Sequence, residues 1–186
     1  MFNPFNMESE LLRIQLSASS RGENVAFKYD GTRFSSTVAT LKLISGSCYE
    51  IVLVSKHKDF SKMGQAQLII QSDQMQIPEE LELQHLTCEK LHKSIIKFSW
   101  TCNLPASKRS SRTPICLLFQ NEHMGEIRLP IIAKIYDRGD KSVKHGMDLK
   151  HIDYRFEILD PSKCQALRSD EQQDGLVFKE ALFVPI

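Results

Sequence analysis

Apolar and polar residues alternate at every second position in several short runs of this chain. Between residues 25 and 54 the alternation occurs in three short runs, which Asp30-Gly31 and Ser45-Gly46-Ser47 separate. An Asp-Gly pair between alternating runs is a strong hairpin signal, because a type I′ turn needs positive φ at both central residues. The stretch therefore predicts a β-meander with tight turns.

Further period-2 or short apolar runs predict strands through the rest of the sequence. They lie at 12–16, 66–70, 81–83, 95–102, 115–119, 127–135 and 152–158. Asp160-Pro161 predicts a helix start, with a short helix to about Arg168. Residues 176–183 fit either a last strand or a closing helix. We therefore predict an all-β fold, an antiparallel β-sandwich or barrel of about nine or ten strands with at most one or two short helices.

Two prolines and the chain length refine this picture. Pro130 interrupts an alternating run and predicts an edge strand or a bulge, whereas Pro78 is expected to mark the start of a strand. The 186 residues suit one domain. We expect residues 1–9 to form a flexible tail and residues 10–186 to form the domain.

Composition argues for a cytoplasmic protein that does not bind nucleic acid. The chain has 24 Lys plus Arg and 23 Asp plus Glu, so the strong basic excess of a typical nucleic-acid binder is missing. Its five cysteines are odd in number and form no CxxC pair, which favours reduced thiols over a disulfide framework. The first residues lack the features of a secretory signal, and no apolar run predicts a membrane span.

Catalytic and metal-binding motifs are not evident in the sequence. It contains neither a GxSxG nucleophile motif nor a P-loop, and its histidines form no HExxH pair. Cys88, His92 and Cys102 lack a fourth ligand for zinc. Ser45-Gly46-Ser47 is better explained as a hairpin turn than as a nucleophile. We therefore predict a protein that is not an enzyme and that needs no metal or cofactor.

A basic loop follows the strand that contains the single tryptophan. Within NLPASKRSSRT at 103–113, Lys108, Arg109 and Arg112 surround two serines. A solvated loop is the favoured interpretation. A phosphorylation site or a contact with an acidic partner is the alternative.

Two segments in the first third of the chain resemble the signature of the cannabinoid receptor-interacting protein 1 family. They are FKYDGTRF at 27–34 and TLKLISGSCYEI at 40–51, and the segment 133–159 is similar to a late strand–turn–strand of that family. The matching positions are Lys28, Asp30, Gly31, Arg33, Phe34, Lys42, Leu43, Gly46, Ser47 and Tyr49. The resemblance implies a cytosolic β-sandwich like the immunoglobulin-like fold of the Rho GDP-dissociation inhibitor. It also implies a non-enzymatic adaptor that binds the cytoplasmic C-terminal tail of the type 1 cannabinoid receptor and dampens its signalling.

Two binding mechanisms follow from this resemblance. In the first, the extended receptor tail pairs with an exposed sheet edge, for which the strand that contains Pro130 is the candidate. Lys28, Arg33 and Lys42 then contact acidic residues of the tail, and the receptor recruits the protein to the plasma membrane. The alternative is a carrier or chaperone for lipid-modified G proteins or small GTPases, with an apolar slot between the sheets. Its wall residues would be Phe98, Trp100, Ile131, Ile135, Tyr154 and Phe156. The competing interpretations are a solvated charged face for the first set and an ordinary closed core for the second.

Overall fold

β-Strands make up most of the chain. The computed structural model describes residues 11–29, 39–72, 75–88, 92–108, 111–158 and 175–186. The strands are β1 (Leu11–Ser20), β2 (Glu23–Asn24), β3 (Ala26–Tyr29), β4 (Ala39–Ile44), β5 (Cys48–Ser55), β6 (Met63–Ser72), β7 (Met75–Leu81), β8 (Gln84–Cys88), β9 (Lys93–Thr101), β10 (Thr113–Asn121), β11 (Gly125–Tyr136), β12 (Met147–Ile158) and β13 (Leu176–Pro185). Two short 3₁₀ helices, Lys58–Lys62 and Lys141–Lys144, lie between them. The predicted all-β class is confirmed.

The described residues hold thirteen strands, more than the nine or ten expected. Two of the additional strands, β2 and β8, are short and mostly polar, so they give no clear alternation in the sequence. The segment that fitted either a strand or a helix is strand β13. The predicted helix after Asp160-Pro161 and the predicted tail at 1–9 lie outside the described residues.

The strands form one curled sheet whose two halves face each other. The hydrogen-bonded order is β7-β6-β10-β11-β4-β3-β12-β1-β5-β9-β8, with β13 beside β12 and β2 beside β1. Strand β12 joins the halves, because its first residues pair with β3 and the rest pair with β1 and β13. All pairs are antiparallel except β4 with β11, which is parallel and corrects the purely antiparallel prediction. A parallel pair needs a long connection, and the chain from β4 to β11 supplies one.

Side chains from both halves meet in one continuous hydrophobic core. The rings of Phe98 on β9 and Phe119 on β10 lie 6.4 Å apart. The Tyr154 hydroxyl of β12 donates to the carbonyl oxygen of Pro130 on β11 at 2.9 Å. Alternating residues of the longer strands point inward, such as Leu12, Ile14 and Leu16 of β1, as the period-2 pattern predicts.

The predicted meander at 25–54 is confirmed for its first two strands, because β3 pairs antiparallel with β4, and is wrong for its third. Strand β4 pairs with β3 and β11, whereas β5 pairs with β1 and β9. The turn at Gly46, where φ is +71°, therefore carries the chain from one half of the sheet to the other and is not a hairpin. The predicted turn at Asp30-Gly31 lies outside the described residues.

One of the two proline predictions needs correction. Strand β11 pairs with β10 from Gly125 to Ala133 and with β4 from Ala133 onward, so at Pro130 it has one partner among the described strands, which agrees with the predicted edge position. Pro130 lies before that second ladder begins, so the missing N–H interrupts none of its described pairs. Pro78 lies in the middle of β7 rather than at its start, paired with Ile69. Because β7 ends the strand order, an edge position explains how the proline is tolerated.

Candidate functional site

A row of cationic side chains crosses the outer face of four neighbouring strands. Lys42 of β4 pairs directly with Lys134 of β11, so both side chains leave the same face of the sheet. Lys28 of β3 pairs with Thr40, which precedes Lys42 by two residues and shares its face. Arg112, just before β10, reaches this face and donates from Nε to the Thr40 hydroxyl at 3.3 Å. We call Lys28, Lys42, Arg112 and Lys134 the cationic row.

The connection from β11 to β12 folds over this row and is fixed to it by Lys42. The Lys42 ammonium group donates to the Ser142 carbonyl oxygen at 2.7 Å and also to the His145 carbonyl oxygen. Asp140 begins the 3₁₀ helix of this connection, and its carboxylate accepts from the Ser142 N–H at 2.8 Å. These bonds leave Lys42 only 7% exposed, although its side chain points away from the core.

Gly146 lets the same connection approach β3 closely. A Cβ atom at this position would lie 2.5 Å from the carbonyl oxygen of Phe27, which is much closer than a real Cβ contact. A glycine is therefore required where the connection meets β3 and leads into β12.

The row and its covering connection enclose a surface cleft of about 530 Å³. Its lining consists of Phe27, Lys28, Thr40, Lys42, Arg112, Lys134, Tyr136, Ser142, His145, Gly146 and Met147. Among the described residues, no aspartate or glutamate lines this cleft. Burial lowers the pKa of Lys42, and the nearby charges of Lys28 and Lys134 lower this pKa further. The cleft therefore presents concentrated positive charge at a recessed site, which suits an anionic ligand.

The aromatic ring of Tyr136 lies beside two lysines of the cationic row. The ammonium groups of Lys42 and Lys134 lie 5.4 and 5.3 Å from the centre of its ring. A cation within about 6 Å of an aromatic face is attracted by the ring quadrupole. This attraction offsets part of the repulsion between two lysines that are paired across neighbouring strands.

A comparison with models of known protein families shows which family this chain belongs to. A family model described as CB1 cannabinoid receptor-interacting protein 1 matches residues 8–167. The chain belongs to this family. The match includes the entire cationic row, whereas strand β13 lies beyond it. A search of curated proteins found no match.

The structure of this CB1 cannabinoid receptor-interacting protein 1 family member brings two of the three predicted basic residues together. Lys28 and Lys42 line the same cleft. Arg33 lies outside the described residues. Sequence reasoning did not assign Lys134 to the site, because only the parallel pairing of β4 with β11 places it beside Lys42. Arg112 was noticed as part of a basic loop, but its position beside the row depends on the sheet order.

All six residues predicted to line an apolar slot are buried in the core. The least buried of them, Ile131, is 6% exposed. Among the described residues, the void between the two halves measures about 20 Å³, which is room for about one water molecule. Ligand sites usually measure roughly 300–1,000 Å³. A slot for an acyl or prenyl chain would thus require the halves to separate, and it stays a prediction.

The other candidate chemical groups have structural contacts in this family member. The Ser45 hydroxyl donates to the Leu104 carbonyl oxygen at 2.6 Å. Cys102 is fully buried, and burial raises its pKa. Within the described ranges, no three His, Cys, Asp or Glu side chains are placed to hold a metal ion. No helix in those ranges is long and apolar enough to span a membrane.

Proposed function

We propose that this protein is a non-enzymatic cytoplasmic adaptor that binds the intracellular C-terminal tail of a type 1 cannabinoid-like, G-protein-coupled receptor and modulates its signalling. The observation that carries the proposal is the family match over residues 8–167, because the family is named for an interaction with this receptor. The matched segment contains every residue of the cationic row.

The cleft offers a binding surface of the right chemistry for an acidic stretch of such a tail. Its cationic side chains come from three neighbouring strands and from Arg112 just before a fourth, so the hydrogen-bonded sheet sets their spacing before a ligand arrives. Adjacent strands are roughly 4.8 Å apart, so a row across four strands spans about 14 Å. Several residues of an extended peptide can lie along that distance.

This mode of binding replaces pairing of the tail with the strand that contains Pro130. Strand β11 pairs with β4 only from Ala133 onward, but at Pro130 the proline has no N–H to offer a further strand and its carbonyl oxygen already accepts from the Tyr154 hydroxyl. Side-chain contacts to the cationic row, rather than main-chain hydrogen bonds to β11, provide the affinity in our proposal. Such charge contacts also make binding dependent on salt.

Isothermal titration calorimetry with a synthetic peptide of the receptor tail tests the proposal. We expect the wild-type protein to bind, and the double variant Lys28→Gln, Lys134→Gln to bind about 5- to 30-fold more weakly, which corresponds to the loss of roughly 1–2 kcal/mol from two ion pairs. Lys97→Gln on β9 is the matched control, because this lysine lies in the other half of the sheet. Absence of binding at tens of micromolar would argue against the adaptor role.

A cell assay tests the consequence for signalling. Receptor-stimulated nucleotide exchange on G proteins should fall when the wild-type protein is expressed and should fall less with the double variant. Equal effects of the wild-type and double-variant proteins would mean that the cleft is not the receptor contact.

A further inference from the structure

The charge of the cleft exceeds what one carboxylate can neutralise. The four cations of the row converge on it, and the described lining contains no acidic side chain. The Asp140 carboxylate acts on both Lys42 and Lys134 and balances one of the four positive charges, while its oxygens also accept from the backbone N–H and hydroxyl of Ser142. One aspartate or glutamate of a partner would bring a single negative charge to this site.

The central pair of the row places two positive charges side by side. Lys42 and Lys134 are direct cross-strand neighbours, and like charges in that position destabilise a sheet. The low exposure of Lys42 adds to the cost, because a buried charge loses hydration. Tyr136 and the two carbonyl oxygens of the covering connection compensate in part. An anion with more than one charge would relieve the remaining repulsion.

A phosphate monoester has the charge and geometry that this arrangement favours. It carries about −1.5 to −2 charges at neutral pH and presents three strong acceptor oxygens. An arginine can bind two of these oxygens at once with its planar fork, and lysines add point charges. The cleft contains both types of donor, Arg112 and the three lysines, and its volume of about 530 Å³ leaves room for the group with its attached side chain.

We infer that the cleft binds the phosphate of a phosphoserine or phosphothreonine in a partner polypeptide. The inference rests on the proposed function only for the identity of that partner, the receptor tail. A recessed site with Lys42 at its base suits a group that projects from a chain. A membrane surface is less well matched, since Met147 is the one large exposed hydrophobic residue among the described residues of the lining.

Phosphorylation of the partner would therefore strengthen the complex. Gaining one charge-assisted hydrogen bond should tighten binding by roughly 10- to 100-fold. A glutamate placed at the same position should give much less, because it lacks the third oxygen and the second charge.

Calorimetry with three versions of each receptor-tail peptide tests this inference. The versions carry serine or threonine, the phosphorylated residue, or glutamate at the same position. They are titrated into the full-length wild-type protein, the double variant Arg112→Gln, Lys134→Gln, and the control Lys97→Gln. Lys42 is left in place because it fixes the covering connection, and circular dichroism verifies that each variant is folded. An unrelated phosphoserine peptide, inorganic phosphate and vesicles containing phosphatidylserine complete the set of probes.

The inference is supported if at least one phosphorylated tail peptide binds about 10-fold or more tightly than its unmodified form, and if the double variant loses that gain while the control keeps it. It is overturned if every phosphorylated peptide changes affinity by less than about twofold, or if the gain survives in the double variant. Vesicle binding that requires Arg112 and Lys134, without any phosphopeptide binding, also overturns it in favour of a lipid headgroup. If no tail peptide binds but the unrelated phosphoserine peptide binds through these residues, the site chemistry stands and only the receptor proposal fails.

Discussion

Replacing Trp100 with alanine tests how the two halves of the sheet are held together. The Trp100 side chain is 4% exposed, and its ring stacks on the Tyr49 ring with 6.2 Å between the ring centres. Its Nε1–H donates to the Glu79 carboxylate at 3.0 Å, which connects β9 to β7 at the opposite end of the strand order. Trp100 thus contributes both to the core and to a polar contact that bridges the edges of the curled sheet.

The expected loss of stability is about 3–5 kcal/mol. A buried tryptophan removes roughly 150–250 Å² from water, equivalent to about 4–6 kcal/mol at 25 cal/mol per Å². The surroundings cannot collapse fully, because Trp100 already borders the void of about 20 Å³ and the new cavity would merge with it. Trp100→Phe keeps most of the apolar contact and loses the bond to Glu79, so it should cost about 1–2 kcal/mol.

Urea unfolding followed by far-UV circular dichroism measures these losses, since the substitution removes the only tryptophan and with it the usual fluorescence signal. Glu79→Gln is the control that retains a hydrogen-bond acceptor. A loss below about 1 kcal/mol for Trp100→Ala would refute our description of this residue as a core element.

Three further predictions concern the cleft, the core and the thiols. Gly146→Ala should lower the free energy of unfolding by about 1–3 kcal/mol, because its Cβ would lie 2.5 Å from a backbone oxygen of β3. Gly64→Ala is the control: its nearest contact would be at 3.7 Å, so it should change the free energy of unfolding by less than about 0.5 kcal/mol in the same thermal unfolding assay. Burial raises the pKa of Tyr154 above its value in the unfolded chain, so its stabilising contribution is present below about pH 10 and is lost as the pH rises further. The urea concentration at the unfolding midpoint should therefore fall with rising pH above about 10 in the wild-type protein, and it should fall less in Tyr154→Phe. Iodoacetamide near pH 8 should modify exposed Cys48 at least about 10-fold faster than Cys102, whose pKa burial raises; peptide mapping that found equal rates would contradict the described core.

The strands were predictable because burial on one face of a sheet leaves a local, two-residue period in the sequence. Ile96, Phe98 and Trp100 alternate with polar neighbours, and all three are buried as the pattern requires. The connections were not predictable in the same way. The turn at Gly46 has the composition of a hairpin, but the partner of each flanking strand depends on contacts that are distant in sequence.

The cationic row illustrates the same limit at the candidate site. Lys28 and Lys42 were identified because they lie within a family signature, yet nothing local in the sequence shows that they share a cleft. Lys134 and Arg112 join them only because β11 lies between β10 and β4. The four positive charges therefore come together because of the order of strands in the sheet, and the local sequence pattern does not predict that order.

Chemical-shift mapping of the labelled protein during titration with a receptor-tail peptide shows whether the tail occupies the cleft. We expect the largest amide shifts at Lys28, Lys42 and Lys134 and along the covering connection up to Gly146, and we expect Lys28→Gln, Lys134→Gln to reduce them. Saturable shifts confined to β1, β5 and β9 in the other half of the sheet, or no shifts at all, would mean that the cationic row does not bind the tail.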